Sequence, residues 1–268
     1  MNELMNNNQS ILSEYSDQIL EFRKTLSPEF QDQELMPDDI LFRALISRDF
    51  KFEYANPLVN NYMKARKDYP NMFVSALDPK LERIFGQVHT FLPDHVKTRD
   101  GQRIFYTRGI DWNPDKYSME DVCSSIILTL ELKSLDYLLQ KDGFIQMVDA
   151  KDIGWKHVKA FNPKAIQASG QLLVWYLPIN LKYVLVFNTN WAVDFLWKMI
   201  RPLLPKELVE RVIMCGKSVE KLSEYIPKEI IEQKAFVPSD DMRKFYAEDI
   251  CSNDHLVQSF WEKHMKIH

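Results

Sequence analysis

Strand-like and helical segments alternate after residue 100, and this alternation limits the folds open to the chain more than any other feature. The strand-like runs, rich in β-branched and aromatic residues, span positions 102–108, 143–149, 182–187 and 211–215. Apolar residues at helical spacing lie between them, at about 118–140, 163–176 and 191–200, and another helix starts at about 218. Helical crossovers return the chain to the same end of a sheet, so successive strands pair in parallel. We therefore predict an α/β domain with a mostly parallel sheet.

The region before this alternation predicts a small helical bundle. Five apolar residues keep a helical spacing that ends before Pro28, namely Ile11, Tyr15, Ile19, Phe22 and Leu26. Pro37, followed by Asp38 and Asp39, is typical of a helix start, because carboxylates favour the positive end of the helix dipole. A third helix is predicted over about 52–69. Short helices with short connections pack as a bundle.

The segment 191–200 is apolar on nearly every side. Its apolar residues include Trp191, Val193, Phe195, Leu196, Trp197, Met199 and Ile200. Only Asp194 and Lys198 carry charge. A helix of this kind is normally buried in a core or held against lipid. Two interpretations stay open: an ordinary buried helix, or a lid that faces an apolar ligand on one side and a membrane on the other.

Composition excludes several classes of protein. The 268 residues are 46% hydrophobic and 27% charged, as in ordinary globular domains. The net charge of −4 lacks the basic signature of a nucleic-acid-binding protein, and we predict no nucleic-acid partner. The three cysteines, Cys123, Cys215 and Cys251, are dispersed and form no CxxC pair, so we predict neither a disulfide framework nor a metal site.

No stretch of the sequence predicts a membrane span. The longest apolar run, 172–187, is interrupted by Pro178, Asn180 and Lys182. The first ten residues are polar, unlike a signal peptide. We expect a cytoplasmic protein whose contact with membranes is transient and peripheral.

The sequence also contains no recognisable set of catalytic residues. Residues 216–218 read Gly-Lys-Ser, but Arg211 stands where a phosphate-binding loop needs its first glycine. Asp149 and His157 could suggest acid–base chemistry, yet no nucleophile is marked nearby, and capping or turn roles are the simpler interpretation. We therefore predict a protein that is not an enzyme and that has no cofactor.

Residues along positions 38–230 occur at the intervals of a known family. In the helical region, R-x-F and N-Y-x-x-x-R patterns are formed by Arg48, Phe50, Asn61, Tyr62 and Arg66. Further matches are Trp112, Asn113, Pro114, Asp121, Val122, Glu131, Gly143, Asp149, His157, Pro163, Pro178, Asn188, the step at 200–202, Arg211 and Gly216. Through these residues the chain resembles the CRAL-TRIO lipid-transfer family, most closely the branch of α-tocopherol transfer protein and cellular retinaldehyde-binding protein.

The resemblance implies an architecture and a function. It implies an N-terminal helical region over 1–90, a CRAL-TRIO lipid-binding domain over 91–236 with an internal apolar cavity and a helical gate, and a C-terminal helical tail over 237–268, where Leu256, Phe260 and Trp261 could dock. Proteins of this family hold one hydrophobic ligand and exchange it at membranes through the gate, here about 191–210. We expect a monomer that carries an isoprenoid, such as a carotenoid, retinoid or tocopherol-like molecule, or an acyl lipid.

Positions that line the cavity in this family can be carried over by register. They are Cys123, Ile126, Leu130, Phe144, Val148, Leu172, Leu173, Leu177, Ile179, Leu181, Val184, Trp191, Phe195, Trp197, Ile200 and Leu204. Ile126 and Leu130 stand where tocopherol transfer proteins place serines that face the ligand's hydroxyl. An apolar wall leaves a buried hydroxyl unpaired. The resemblance therefore implies a ligand other than tocopherol in that pose.

The same branch binds phosphoinositide headgroups through a basic cleft beside the gate. Three of its basic positions are retained as Arg48, Lys182 and Arg211, with Arg201 as a further cation nearby, whereas two others are Asn180 and Glu207 here. An arginine fork binds phosphate through two parallel hydrogen bonds. An alternative function follows from this cleft: a trafficking or signalling adaptor that docks on phosphoinositide membranes and uses the cavity lipid as a sensor.

Overall fold

The computed structural model describes residues 2–78, 84–93, 95–234 and 237–265. Its N-terminal part is helical, as predicted, and contains α1 (Asn2–Glu14), α2 (Ser16–Thr25), α3 (Asp38–Ile46) and α4 (Phe52–Asp68). The first predicted helix is divided at Tyr15 into α1 and α2. The ring of Tyr15 packs against Phe42 and Phe50.

A five-stranded sheet forms the centre of the rest of the chain. Its strands are β1 (His89–Phe91), β2 (Arg103–Arg108), β3 (Phe144–Asp149), β4 (Leu181–Phe187) and β5 (Val212–Gly216), and they lie side by side in chain order. β1 is antiparallel to β2, and all other pairs are parallel. The predicted α/β fold with a mostly parallel sheet is confirmed. We did not predict β1, because three residues are too short to show an alternating pattern.

Helices connect the parallel strands and follow the last one. The connecting helices are α5 (Met119–Lys133), α6 (Tyr137–Asp142), α7 (Trp155–Lys159), α8 (Pro163–Gln171), α9 (Trp191–Ile200) and α10 (Lys206–Arg211). After β5 come α11 (Val219–Ser223), α12 (Lys228–Glu232) and α13 (Asp240–Met265). α8 continues into a π-helical turn over Leu172–Tyr176. The single helix predicted over 118–140 is wrong, because the chain breaks after Lys133 and restarts at Asp136, whose carboxylate accepts a hydrogen bond from the Leu139 N–H.

The two faces of the sheet are covered by different helices, because side chains alternate along a strand. Ile145 and Leu185 belong to the face that packs with Leu222 of α11. Val148 and Val184 point to the opposite face, which lies against α9. This second face carries the site described below.

The long C-terminal helix α13 packs against α5 and β1. Trp261 is buried and its indole Nε1 donates to Glu131 at 2.7 Å, while Phe260 packs at the edge of the core. The expected docking of these two aromatic residues is therefore observed. Leu256, which we also expected to dock, is 39% exposed, because it lies on the solvent side of α13.

Candidate functional site

A cavity of about 250 Å³ lies between α9 and the sheet. Its sheet wall consists of Gln146, Val148, Val184, Val186, Val212 and Met214. The opposite wall is made by Val193, Leu196, Trp197 and Ile200 of α9, and the margin by Ala150, Ile153, Leu173, Leu204 and Leu208. Gln146 is the one polar side chain among the described residues that line it. The wall can therefore exclude water and enclose an apolar molecule.

The sequence around α9 fixes where this helix begins and ends. Asn190 caps it, because its Oδ1 accepts hydrogen bonds from the N–H groups of Ala192 (2.9 Å) and Val193 (3.4 Å). The Asn190 amide also donates to the Ile153 carbonyl at 2.9 Å, which ties the start of α9 to the loop after β3. After Ile200 the chain turns through a short 3₁₀ segment that contains Pro202. α9 is thus a ten-residue helix between two defined turns.

The outer face of α9 exposes apolar side chains. Trp191 is 63% exposed, and Phe195 and Met199 are also exposed. The ring of Trp155, from α7, lies 6.2 Å from that of Trp191 and is exposed as well, and the Lys159 ammonium lies 6.0 Å above it. Monomeric proteins rarely leave large contiguous apolar surfaces in water without a role. No helix of the described residues has both the length and the apolar character to cross a bilayer.

The structure brings six of the predicted cavity residues together around the cavity: Val148, Leu173, Val184, Trp197, Ile200 and Leu204. Seven others are buried in the main core and do not line the cavity: Cys123, Leu130, Phe144, Leu172, Leu177, Ile179 and Leu181. Ile126 is partly buried against that core. Trp191 and Phe195 are on the outer face of α9. The positions from α5 are kept from this cavity because α5 packs directly against α8 and α13.

Other wall residues were missed by the sequence reasoning. Val186, Val212 and Met214 share the cavity face with Val184 because strand residues two apart point the same way. The alternation of β4 and β5 therefore contained the signal for them. Gln146 lies between Phe144 and Val148 on the same face, and nothing in the sequence distinguished it from a glutamine exposed to solvent.

Of the four predicted phosphoinositide-binding residues, Arg48 and Arg211 lie near enough for the positive charge of Arg211 to act on Arg48. Arg48 Nη2 donates to the Val174 carbonyl at 2.5 Å, and Arg211 Nη1 donates to the Leu181 carbonyl at 2.8 Å. Burial, reinforced by the positive charge of Arg211, lowers the pKa of Arg48 to about 10. Among the described residues, neither guanidinium has a carboxylate within 4.0 Å. Two arginines held this way favour an anion between them.

The other positions of the predicted cleft have different surroundings. Lys182 packs across Gly143, where an added Cβ would lie 2.7 Å from the lysine Cε. Arg201 and Glu207 are exposed. Asn180 is buried, and its Nδ2 donates to the Gln140 carbonyl at 2.8 Å while its N–H donates to the Gln140 Oε1. Asn180 thus holds α6 to the start of β4.

Asp149 and His157 have the structural roles that we expected. The Asp149 carboxylate accepts hydrogen bonds from the Tyr106 hydroxyl (3.1 Å), the Lys151 N–H (3.0 Å) and the Asn188 amide (2.8 Å). The His157 Nδ1 accepts from the Gly154 N–H at 3.0 Å, which caps α7, and burial lowers the pKa of this imidazole. No cluster of metal-ligating side chains occurs within the described ranges.

The comparison with protein families identifies the class of protein that this fold and cavity define. The family model described as the CRAL/TRIO domain matches residues 89–235, which is more than half of the chain. The chain belongs to the CRAL/TRIO domain family, a family of lipid-binding and lipid-transfer proteins whose ligands are hydrophobic small molecules. The resemblance inferred from the sequence is confirmed.

Individual relatives are similar over most of this chain. Human clavesin-2 is 25% identical over 211 residues, which cover 76% of this chain and 64% of clavesin-2. Human alpha-tocopherol transfer protein-like is 24% identical, covering 84% of this chain and 66% of the relative, and mouse clavesin-1 is 26% identical, covering 85% and 67%. The chain thus spans about two thirds of the length of these relatives. Among solved structures, the crystal structure of Sfh5 aligns with 84% of this chain and 84% of the Sfh5 chain, at 11% identity and a TM-score of 0.45.

Proposed function

We propose that this protein is a lipid carrier that encloses one hydrophobic ligand beneath α9 and exchanges it at membranes when α9 moves. The observation that carries the proposal is that α9 is apolar on both faces: Trp197 and Ile200 face the cavity, and Trp191 and Phe195 face solvent. Removing about 400 Å² of apolar ligand surface from water stabilises a complex by roughly 10 kcal/mol before binding losses. A bilayer supplies the apolar surroundings that release requires.

The size of the cavity supports a moving α9. Pockets for small molecules usually enclose about 300–1,000 Å³, and this cavity has a volume of about 250 Å³. A carotenoid, retinoid, tocopherol-like molecule or acyl lipid fills more than this space. Outward movement of α9 enlarges it, and the turns at Asn190 and Pro202 are the points where the helix can hinge.

We propose that residues 91–236 form the ligand-binding domain and that regions 1–90 and 237–268 support it. The monomer would act in the cytoplasm and associate transiently with membranes. Binding and release need no bond to be made or broken. The proposal therefore gives the protein no catalytic step, in keeping with the backbone hydrogen bonds that occupy Asp149 and His157.

The proposal is tested by mass spectrometry of the natively purified protein. The mass of the intact complex is compared with that of the protein after extraction with organic solvent, and the extract is analysed for lipids. We expect one lipid molecule per chain. An empty protein that also takes up no lipid from vesicles would overturn the carrier function.

Filling the cavity should abolish ligand uptake without unfolding the protein. Leu173 is partly buried and lines the cavity, so the Leu173→Trp side chain can extend into the empty space. We expect uptake from vesicles to fall at least about tenfold. The loss in the free energy of unfolding should stay below the roughly 1–3 kcal/mol that overpacking of a filled core usually costs. Native mass spectrometry and urea unfolding measure the two effects. Leu130→Trp is the matched control: Leu130 is buried in the core, so the same substitution should lower stability and should not block the cavity.

A second candidate function, the phosphoinositide-docking adaptor, is favoured by the Arg48–Arg211 pair. Both guanidiniums are held by backbone carbonyls, and Lys182 lies on the neighbouring strand β4. A phosphate between the arginines would accept charge-assisted hydrogen bonds from both. Docking and lipid transfer can also coexist, in which case the arginine pair directs the carrier to a membrane.

The double substitution Arg48→Ala/Arg211→Ala should weaken binding to phosphatidylcholine vesicles that contain phosphatidylinositol bisphosphate. We expect a loss of at least about tenfold, since each hydrogen bond to a charged group contributes about 1.5–3 kcal/mol. Vesicle flotation measures it. Lys24→Ala/Lys244→Ala removes the same charge from exposed positions on α2 and α13 and should have little effect. Equal loss in both variants would indicate non-specific attraction and would contradict a headgroup site.

A further inference from the structure

The wall of the cavity has a single polar point, Gln146, in the middle of β3. Gln146 is the register partner of Phe105 on β2 and of Val184 on β4, so it lies between two neighbouring strands rather than at the rim of the sheet. Val148 and Val184, which flank it, are apolar wall residues. A polar side chain at the centre of an apolar wall needs a partner that water cannot supply once the cavity is closed.

The hydrogen bond of Gln146 to Thr107 satisfies one of the three hydrogen-bonding groups of its amide. Its Nε2 donates to the Thr107 Oγ1 at 3.3 Å, and this contact holds the amide against β2. Thr107 is itself buried. Within the part of the chain that the structure describes, no donor contacts the Gln146 Oε1. An amide carries two donors and an oxygen acceptor, so one N–H and the oxygen remain for a ligand on the cavity side.

The rest of the wall restricts the chemistry of the ligand. None of the described wall residues is a lysine, arginine or histidine. A carboxylate or phosphate group would therefore lose its hydration without gaining a counter-charge. A hydroxyl group is neutral and can donate to the Gln146 oxygen or accept from its remaining N–H, whereas an aldehyde or ester carbonyl can only accept and leaves the oxygen unpaired.

We propose that Gln146 binds the hydroxyl group of the ligand, and that the ligand is a neutral lipid alcohol rather than a lipid acid. This inference rests on the proposed carrier function and specifies its substrate class. Ile126 and Leu130 do not line this cavity, and the polar contact comes from β3 instead.

Three probes with one carbon skeleton test the proposal: farnesol, the hydrocarbon farnesene and farnesoic acid. Each is added from a cyclodextrin complex to the full-length protein and followed by tryptophan fluorescence, since Trp197 lines the cavity. We expect the wild-type protein to bind farnesol most tightly. Gln146→Leu, which keeps roughly the size of the side chain, should weaken farnesol binding about five- to tenfold, the value of one net hydrogen bond. The same substitution should tighten farnesene binding about fivefold or more, because the hydrocarbon no longer leaves a buried amide unpaired.

Gln146→Met is the second variant, because its flexible chain fits if leucine disturbs the strand. Both variants should give the same loss for farnesol. Equal binding of farnesol and farnesene by the wild-type protein, or tighter binding of the acid, would overturn the role of Gln146 and leave the carrier function standing. Failure of the wild-type protein to bind any of the three probes, or any lipid from vesicles, would overturn both.

Discussion

Replacing Glu131 with alanine is expected to lower the free energy of unfolding by roughly 3–5 kcal/mol, the usual result of breaking a buried ion pair from one side. Glu131 is 1% exposed in α5 and joins three parts of the chain. Its carboxylate accepts from the Trp261 indole at 2.7 Å and from the Tyr62 hydroxyl at 3.1 Å, and it pairs with Arg66 at 3.3 Å. Alanine would leave a buried cation and two buried donors without their acceptor. Urea unfolding measures the effect.

Two milder substitutions separate the charge from the hydrogen bonds. Glu131→Gln keeps an acceptor oxygen but removes the charge that pairs with Arg66, so we expect an intermediate loss. Trp261→Phe removes one donor, and its loss should be about 0.5–1.5 kcal/mol plus the contribution of its packing on Tyr62. If Glu131→Ala cost less than about 1 kcal/mol, the ion pair would not join the helices in the way described.

The Glu131 network also explains why the helical regions belong with the sheet domain. Tyr62 and Arg66 come from α4, whereas Trp261 comes from α13, and the Arg66 guanidinium lies 4.7 Å from the centre of the Trp261 ring. Burial and the Glu131 carboxylate raise the pKa of Tyr62 well above its usual range, so its hydroxyl stays protonated and continues to donate. The first and last regions of the chain therefore meet on one carboxylate of α5.

The order of helices and strands could be predicted because it depends on local spacing. The period of two in β3 and β4 and the apolar character of α9 are visible without any tertiary contact. Two features were not visible. β1 has only three residues, and the break after Lys133 depends on Asp136 capping α6, which competes with continuation of α5.

The cavity could be predicted only in part. Residues on β4 and α9, such as Val184 and Trp197, follow from register, and they line the cavity between this helix and the sheet. Whether residues of α5, such as Leu130, line a cavity depends on how far α5 lies from the sheet. α5 packs closely against α8 and α13, so no gap remains beside Leu130. Gln146 was missed because a glutamine in an alternating strand normally marks the solvent side. Only the position of α9 over that face makes it internal.

Placing a carboxylate on the outer face of α9 is expected to slow the transfer of ligand to membranes about ten- to a hundredfold. Trp191 is 63% exposed and its ring lies beside that of Trp155, so the pair forms an aromatic edge that can enter the lipid interface. Burying a large apolar side chain contributes about 1.5–3 kcal/mol, and Trp191→Asp removes this contribution and adds a charge that lipid does not solvate. Stopped-flow transfer of a fluorescent lipid between protein and vesicles measures the rate.

Ligand occupancy should stay unchanged in this variant, because Trp191 does not line the cavity. Phe245→Asp is the matched control: Phe245 is 73% exposed on α13, away from α9, and its substitution should leave transfer unaffected. Trp155→Asp should slow transfer like Trp191→Asp, since the two rings belong to one surface. Unchanged transfer in both tryptophan variants would separate α9 from the membrane and confine its role to closing the cavity. If ligand occupancy and the transfer rate both fell in Trp191→Asp, Trp191 would instead be needed to hold α9 closed over the cavity. A carboxylate that only weakens membrane contact leaves the closed state as stable as before.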